Sequence, residues 1–163
     1  MGRVRALVLV TLLGGCGAAP VTANDARADI ERVIDDWHEA AARSDLERYM
    51  GLMAEDAIFL GTDASERWTK AELLEYARAP FAQGRGWVMR PVRRDVIVEG
   101  DLAFFDEDLD AVNLGPARGS GVLRREPSGW RIVHYNLAIT VPNERFDAVR
   151  ELLRSPATSP PEE

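Results

Sequence analysis

Residues 129–141 read Gly129-Trp130-Arg131-Ile132-Val133-His134-Tyr135-Asn136-Leu137-Ala138-Ile139-Thr140-Val141, between the turn Glu126-Pro127-Ser128-Gly129 and Pro142. A period of two predicts a strand over this run. Trp130, Ile132, His134, Asn136 and Ala138 share one face, and Arg131, Val133, Tyr135, Leu137 and Ile139 share the other. Both faces are largely apolar, which predicts a central strand covered on both sides. His134 and Asn136 sit in the middle of one apolar face. A polar pair buried there must be hydrogen-bonded or line a cavity, so this face is expected to carry a pocket.

Working outward, the strands before it form a set. Trp87 to Val98 reads as a long strand in which Pro91 implies a bulge or an edge position. Leu102 to Val112 is the next strand. There Phe104, Asp106, Asp108 and Asp110 share one face, and Phe105, Glu107 and Leu109 share the other. The acids read either as a solvated face or as placing one carboxylate, Asp106 or Glu107, at the pocket near His134. Arg118 to Arg125 is a further strand whose Gly119 and Gly121 suit close approach by a neighbour or strong curvature. A shorter strand is expected earlier, over Ala57 to Gly61, followed by a loop from Thr62 to Trp68.

Helices flank these strands. Asn24 or Asp25 can cap a helix in which Ile30, Val33, Ile34, Trp37 and Ala41 recur at helical spacing. His38 lies on the flank of that stripe and reads as a solvated histidine; Trp37 reads first as core and second as a ligand contact. A short second helix carries Leu46, Tyr49, Met50 and Met53. Thr69 and Glu72 form a capping box for a third, and residues 144–154 make a last short helix. Trp68, just before the cap, is either a packing anchor or one end of a cavity. Helices ahead of a four-strand meander indicate an α+β domain.

The chain ends are of another kind. Arg3 and Arg5 precede an apolar run, Ala6 to Leu13, too short to span a bilayer as a helix. Leu13-Gly14-Gly15-Cys16 follows, and Cys16 is the only cysteine. This resembles a bacterial lipobox. Residues 1–15 are therefore expected to be a lipoprotein signal peptide, with Cys16 lipidated and the chain held to a membrane in the cell envelope, on the periplasmic or extracellular face. Residues 16–24 read as a linker, 25–154 as the domain, and 155–163 as a proline-containing disordered tail. Cleavage leaves 148 residues, enough for one core, and takes the formal charge from −7 to −9, since two arginines and no acid are lost. Such an acidic domain is not expected to bind nucleic acid.

Several separated motifs point to one family. They are Asp36-Trp37-His38-Glu39-Ala40-Ala41-Ala42, the run Phe59 to Trp68, Phe105-Asp106-Glu107, Arg118 to Leu123, and His134-Tyr135-Asn136-Leu137. Together, over about residues 28–143, they resemble the SnoaL-like (SnoaL_3) group of the nuclear transport factor 2-like (NTF2-like) superfamily. The resemblance implies a cone-shaped fold with N-terminal helices packed on a strongly curved antiparallel sheet. It also implies a homodimer formed through the sheet's outer face, where Val133, Tyr135, Leu137 and Ile139 are expected. The superfamily holds isomerases, cyclases and dehydratases as well as non-catalytic binding domains, so fold alone does not fix activity. Relatives often carry a second histidine two residues after the first on the last strand; Asn136 stands there.

Two functions follow as expectations. The first is binding of a small, largely apolar molecule in the cone without catalysis, with Trp37, Phe59, Trp68, Arg118 and Asn136 as ligand contacts. The second is an isomerase, hydrolase or dehydratase in which His134 and Asp106 or Glu107 move a proton, with Asn136, Arg118 or, more weakly, Tyr135 as donors. No spacing suits a metal site, and no phosphate loop, nucleophile elbow or dinucleotide motif is present, so no cofactor or metal is expected.

Overall fold

Ala26, Ile30, Ile34, Trp37 and Ala41 recur every three or four residues and are all buried. They give α1 (Ala23–Ala42) one continuous apolar stripe. The computed structural model describes residues 23–155. The expected signal peptide, Cys16 and the tail beyond Ser155 lie outside the described residues. Ser44, in the left-handed region at φ 58°, turns the chain, and Asp45 caps α2 (Leu46–Gly51) by accepting from the Arg48 amide. Then come β1 (Met53–Leu60), β2 (Arg67–Thr69) and α3 (Lys70–Ala82). The meander β3 (Met89–Glu99), β4 (Leu102–Ala111), β5 (Gly115–Glu126) and β6 (Gly129–Ile139) follows. A 3-10 turn (Asn143–Arg145) and α4 (Phe146–Arg154) complete the described chain.

The six strands form one curved, unclosed sheet in the order β2-β1-β6-β5-β4-β3. Helices α1 to α3 precede the meander and cover the sheet's inner face, as expected of an α+β fold. β6 is interior, between β1 and β5. One pairing departs from an all-antiparallel sheet: β1 runs parallel to β6. β1 starts at Met53 rather than Ala57, and the stretch expected as loop ends in β2, which pairs with β1 through Phe59 and Trp68. α3 is capped by Thr69 and Glu72 as the sequence indicated. β3 is the edge strand, and its register also shifts between Pro91 and Arg93, so both readings of Pro91 hold.

The register shift in β6 matters most. Leu123 faces Ile132 and Val122 faces His134, which leaves Val133 as the extra residue of a bulge. Trp130 and Ile132 are buried before the bulge, and Tyr135 and Leu137 are buried after it. His134 and Asn136 therefore turn to the outer face, where both are half-buried. The expectation that they share the inward face with Ile132 is corrected by this one inserted residue, because a single-residue slip exchanges the faces of everything beyond it. The same slip removes Tyr135 and Leu137 from the outer patch expected for a dimer.

Candidate functional site

The buried polar atoms of this protein converge on Glu107. β4 alternates, so Glu107 lies between Phe105 and Leu109 on the inner face, and it is fully buried. Three side chains approach it. His38 Nε2 is 2.7 Å from Oε1, and the Tyr135 hydroxyl donates to the same oxygen at 3.2 Å. Arg94 Nε donates to Oε2 at 2.9 Å, with Nη2 an ion-pair contact at 2.9 Å. Arg94 Nη1 donates in turn to Asp35 at 2.7 Å, and Asp35 reaches solvent.

Each of these placements has a local cause. Arg94 stands directly across from Glu107 in the β3–β4 pair. Glu107 faces Gly119 in the β4–β5 pair. A Cβ at Gly119 would come within 2.2 Å of the Tyr135 hydroxyl oxygen and 2.8 Å of Glu107 Oε1, so the missing side chain is the space in which the two meet. His38 follows Ile34 by four residues and precedes Ala41 by three. That puts it on the buried stripe of α1, and it is 6% exposed. The expectation of a solvated His38 is thereby corrected: the apolar stripe is wide enough to include both Trp37 and its neighbour.

The electrostatics follow from this packing. Burial pushes the Glu107 carboxyl up, but the hydrogen bond and attraction of His38, and then those of Arg94, outweigh it and hold the group below the ordinary glutamate value. Glu107 is thus a carboxylate and accepts from its neighbours, so Nε2 is the ring nitrogen of His38 that carries the shared proton. The Tyr135 phenol is pushed up, first by burial and then by the charge of Glu107, and stays a donor.

His38 forms part of the wall of a cavity of about 260 Å³. Its ring is hydrogen-bonded through Nε2 to Glu107. Seven of the lining residues are aromatic, among them Trp37, Phe59, Trp68, Tyr76, Trp87 and Tyr135. Trp37 stacks on Tyr49 at 4.9 Å and meets Tyr135 edge-on at 4.7 Å. Thr62, Asn113 and Glu66 supply further polar edges. A concave, mostly apolar space with a few convergent polar groups is the usual form of a small-molecule site, and this one lies just below the roughly 300–1,000 Å³ of drug-sized pockets.

The candidates from the sequence divide in two. Trp37, Phe59 and Trp68 line the cavity, and Glu107 lies behind His38 and Tyr135. His134, Asn136, Asp106 and Arg118 lie on the outer face of the sheet, away from it. Asp106 there meets Arg93 at 3.4 Å, and Arg118 donates to Asp108 at 3.1 Å. The histidine that joins the acid is therefore His38 and not His134. Arg94, Asp35, Tyr76, Trp87 and Glu66 were not singled out from the sequence. Only Arg94 carried a signal, since an arginine alternating with Val96 and Val98 faces inward and needs a buried partner. Among the described residues, no group of three or more His, Cys, Asp or Glu side chains is placed to hold a metal.

The model of the SnoaL-like domain matches residues 30–142, which includes both the cavity and the Glu107 cluster. The chain belongs to the SnoaL-like domain family. Solved structures agree on the fold. An NTF2-like protein of unknown function from Pseudomonas putida superposes with a TM-score of 0.65 at 17% identity, over 75% of this chain and 92% of that one. An NTF2-like protein with a cystatin-like fold from Novosphingobium aromaticivorans gives 0.59 at 24% identity, over 81% and 91%. A protein from Streptomyces avermitilis, provisionally named a dehydratase of the NTF2-like family, gives 0.66 at 16% identity, over 74% and 100%. At such identities the likeness is one of fold. No curated protein matches the sequence. In this SnoaL-like chain the identity of the site therefore rests on its own residues.

Proposed function

We propose that this SnoaL-like domain binds a small, largely apolar molecule in the aromatic cavity, with His38 as the polar group that fixes its orientation. The observation that carries this reading is the cavity wall, which is lined by seven aromatic residues and one carboxylate-backed imidazole. Aromatic faces supply most of the contact energy of such sites, and a single polar group supplies direction. The test is a thermal-shift and tryptophan-fluorescence titration with small aromatic and alicyclic compounds. A binder is expected to raise the melting temperature of the parent and to lose affinity in Trp68→Ala. If no compound of that class shifts either signal, the reading falls.

A second reading is favoured by one detail, the 2.7 Å contact of His38 with an ionised Glu107. A carboxylate that fixes the tautomer of a histidine beside an apolar cavity is the arrangement used for general acid–base work. On this reading the domain is an isomerase, hydrolase or dehydratase in which His38 moves the proton and Glu107 positions it. Turnover that disappears in His38→Gln while ligand binding persists would support it; binding without turnover by the parent would leave the first reading alone.

Around the domain, we propose a lipid on Cys16 that holds the chain to a membrane of the cell envelope. Intact-mass measurement before and after Cys16→Ser, with fractionation, checks it: the variant is expected to lose the lipid mass and leave the membrane fraction. No described helix is long and apolar enough to cross a membrane. A second copy of the chain is the proposed partner of the sheet's outer face.

A further inference from the structure

The charge of the cavity wall carries the ligand class further, and this inference rests on the binding reading above. Among the described residues, no lysine or arginine lines the cavity, and Glu66 is the one lining carboxylate. Glu66 is built into place. Its Oε2 accepts from the Asp63 amide at 3.1 Å, and the strand end is closed by Gly61 N–H donating to the Glu66 carbonyl at 2.9 Å. A Cβ at Gly61 would lie 2.1 Å from Glu66 Oε2, so the absent side chain there is the room the carboxylate occupies.

The same cavity wall carries a series of nearly parallel rings that stack on one another. Phe59 and Trp68 are 6.0 Å apart at 21°, Trp68 and Tyr76 4.5 Å at 28°, and Tyr76 and Trp87 6.1 Å at 13°. Tyr76 is half-exposed, which carries the ring series out to the mouth. The faces of aromatic rings are the negative part of their quadrupole and attract a cation, most strongly where water is excluded. Deeper in, the hydrogen-bonded chain His38–Glu107–Arg94–Asp35 holds two carboxylates against one guanidinium. Whichever proton state His38 takes, that chain is never net positive. An anion would meet no opposite charge here, and a ligand with neither charge nor hydrogen-bond donor would gain nothing from Glu66.

We propose that the occupant of the cavity is a small organic cation, a quaternary or protonated amine with an apolar body, held by the aromatic wall and by Glu66. The probe is a pair of near-isosteres, phenyltrimethylammonium and tert-butylbenzene, titrated against the full chain and its Glu66→Gln variant by calorimetry and tryptophan fluorescence. The cation is expected to bind about tenfold or more tightly than the hydrocarbon. Glu66→Gln is expected to remove most of that preference while leaving the hydrocarbon's affinity unchanged, which also shows that the variant is folded. Equal or tighter binding of the hydrocarbon to the parent overturns the cation assignment and leaves the binding reading standing. A preference for the cation that survives Glu66→Gln overturns the role of Glu66 and with it the proposal as stated. If neither compound binds, the cavity-binding reading fails and takes this one with it.

Discussion

At the residue scale, Glu107 is the group on which the interior depends most. Its two oxygens meet His38, Tyr135 and Arg94, so removing its charge leaves a guanidinium buried with half its partners. Breaking a buried pair from one side costs about 3–5 kcal/mol. Glu107→Gln is expected to lose stability of that order at neutral pH, measured by denaturant unfolding. Because the folded carboxyl titrates below its unfolded value of about 4.3, its contribution is complete above that value. It is lost as pH falls through the lower, folded one. The parent should therefore lose stability on acidification through about pH 4 and below, and the variant should show a shallower decline; parallel curves would remove Glu107 as the cause. Gly119 gives a second test. Gly119→Ala drives a methyl into the Tyr135 hydroxyl, and overpacking of this kind costs about 1–3 kcal/mol. In a Tyr135→Phe background the cost is expected to shrink, a positive coupling that a double-mutant cycle reads directly.

At the scale of elements, two kinds of signal behaved differently. The capping box of α3 is local: the Thr69 hydroxyl accepts from the Glu72 amide, and the Glu72 carboxylate accepts from the Thr69 amide at 2.8 Å. Thr69→Ala is expected to cost about 1 kcal/mol, seen as a lowered unfolding midpoint with the slope unchanged; no change would mean that α3 is held by its packing on β1, β2 and α2 alone. β6 is the opposite case. Its residues before Val133 read correctly and its residues after it read inverted, because the bulge is set by pairing with β5 and not by any residue type within the strand. Glu107 was legible as facing the apolar side of β4 because that strand has no bulge. His38 was legible in principle from its spacing to Ile34 and Ala41. The weight given to a lone histidine on a helix flank hid it.

At the scale of the whole molecule, the bulge also remakes the outer face. In register across the sheet, Ile97 faces Phe104, Phe104 faces Val122, Val122 faces His134, and His134 faces Ile58. Ile97 and Phe104 are 63% and 45% exposed. Charges of both signs flank this row, Arg93 and Arg118 beside Asp106 and Asp108, so the face can complement a rotated copy of itself. We expect a two-fold dimer through this row, disrupted by Phe104→Arg. Sedimentation should then give the dimer mass for the parent and the monomer mass for the variant. A monomeric parent at tens of micromolar would sink the expectation. The nearby surface ion pairs contribute little to stability, and in the expected dimer they would set the orientation of the second copy.

What the amino-acid order determined by itself was everything set by local period and local chemistry. Helical stripes, the alternation of β4, the α3 cap, the meander and the small pair Gly119 and Gly121 all follow from neighbours in the chain, and together they specify an α+β sheet with helices on one face. The tertiary structure decided which polar residues meet. Val133 became an extra residue only when β6 paired with β5, and that pairing exchanged Tyr135 for His134 on the inner face. His38 found Glu107 across 69 residues of sequence, and Arg94 found Asp35 across 59. Such contacts carry no period. They form because a carboxylate sealed from water must gather donors from whatever elements the fold lays beside it.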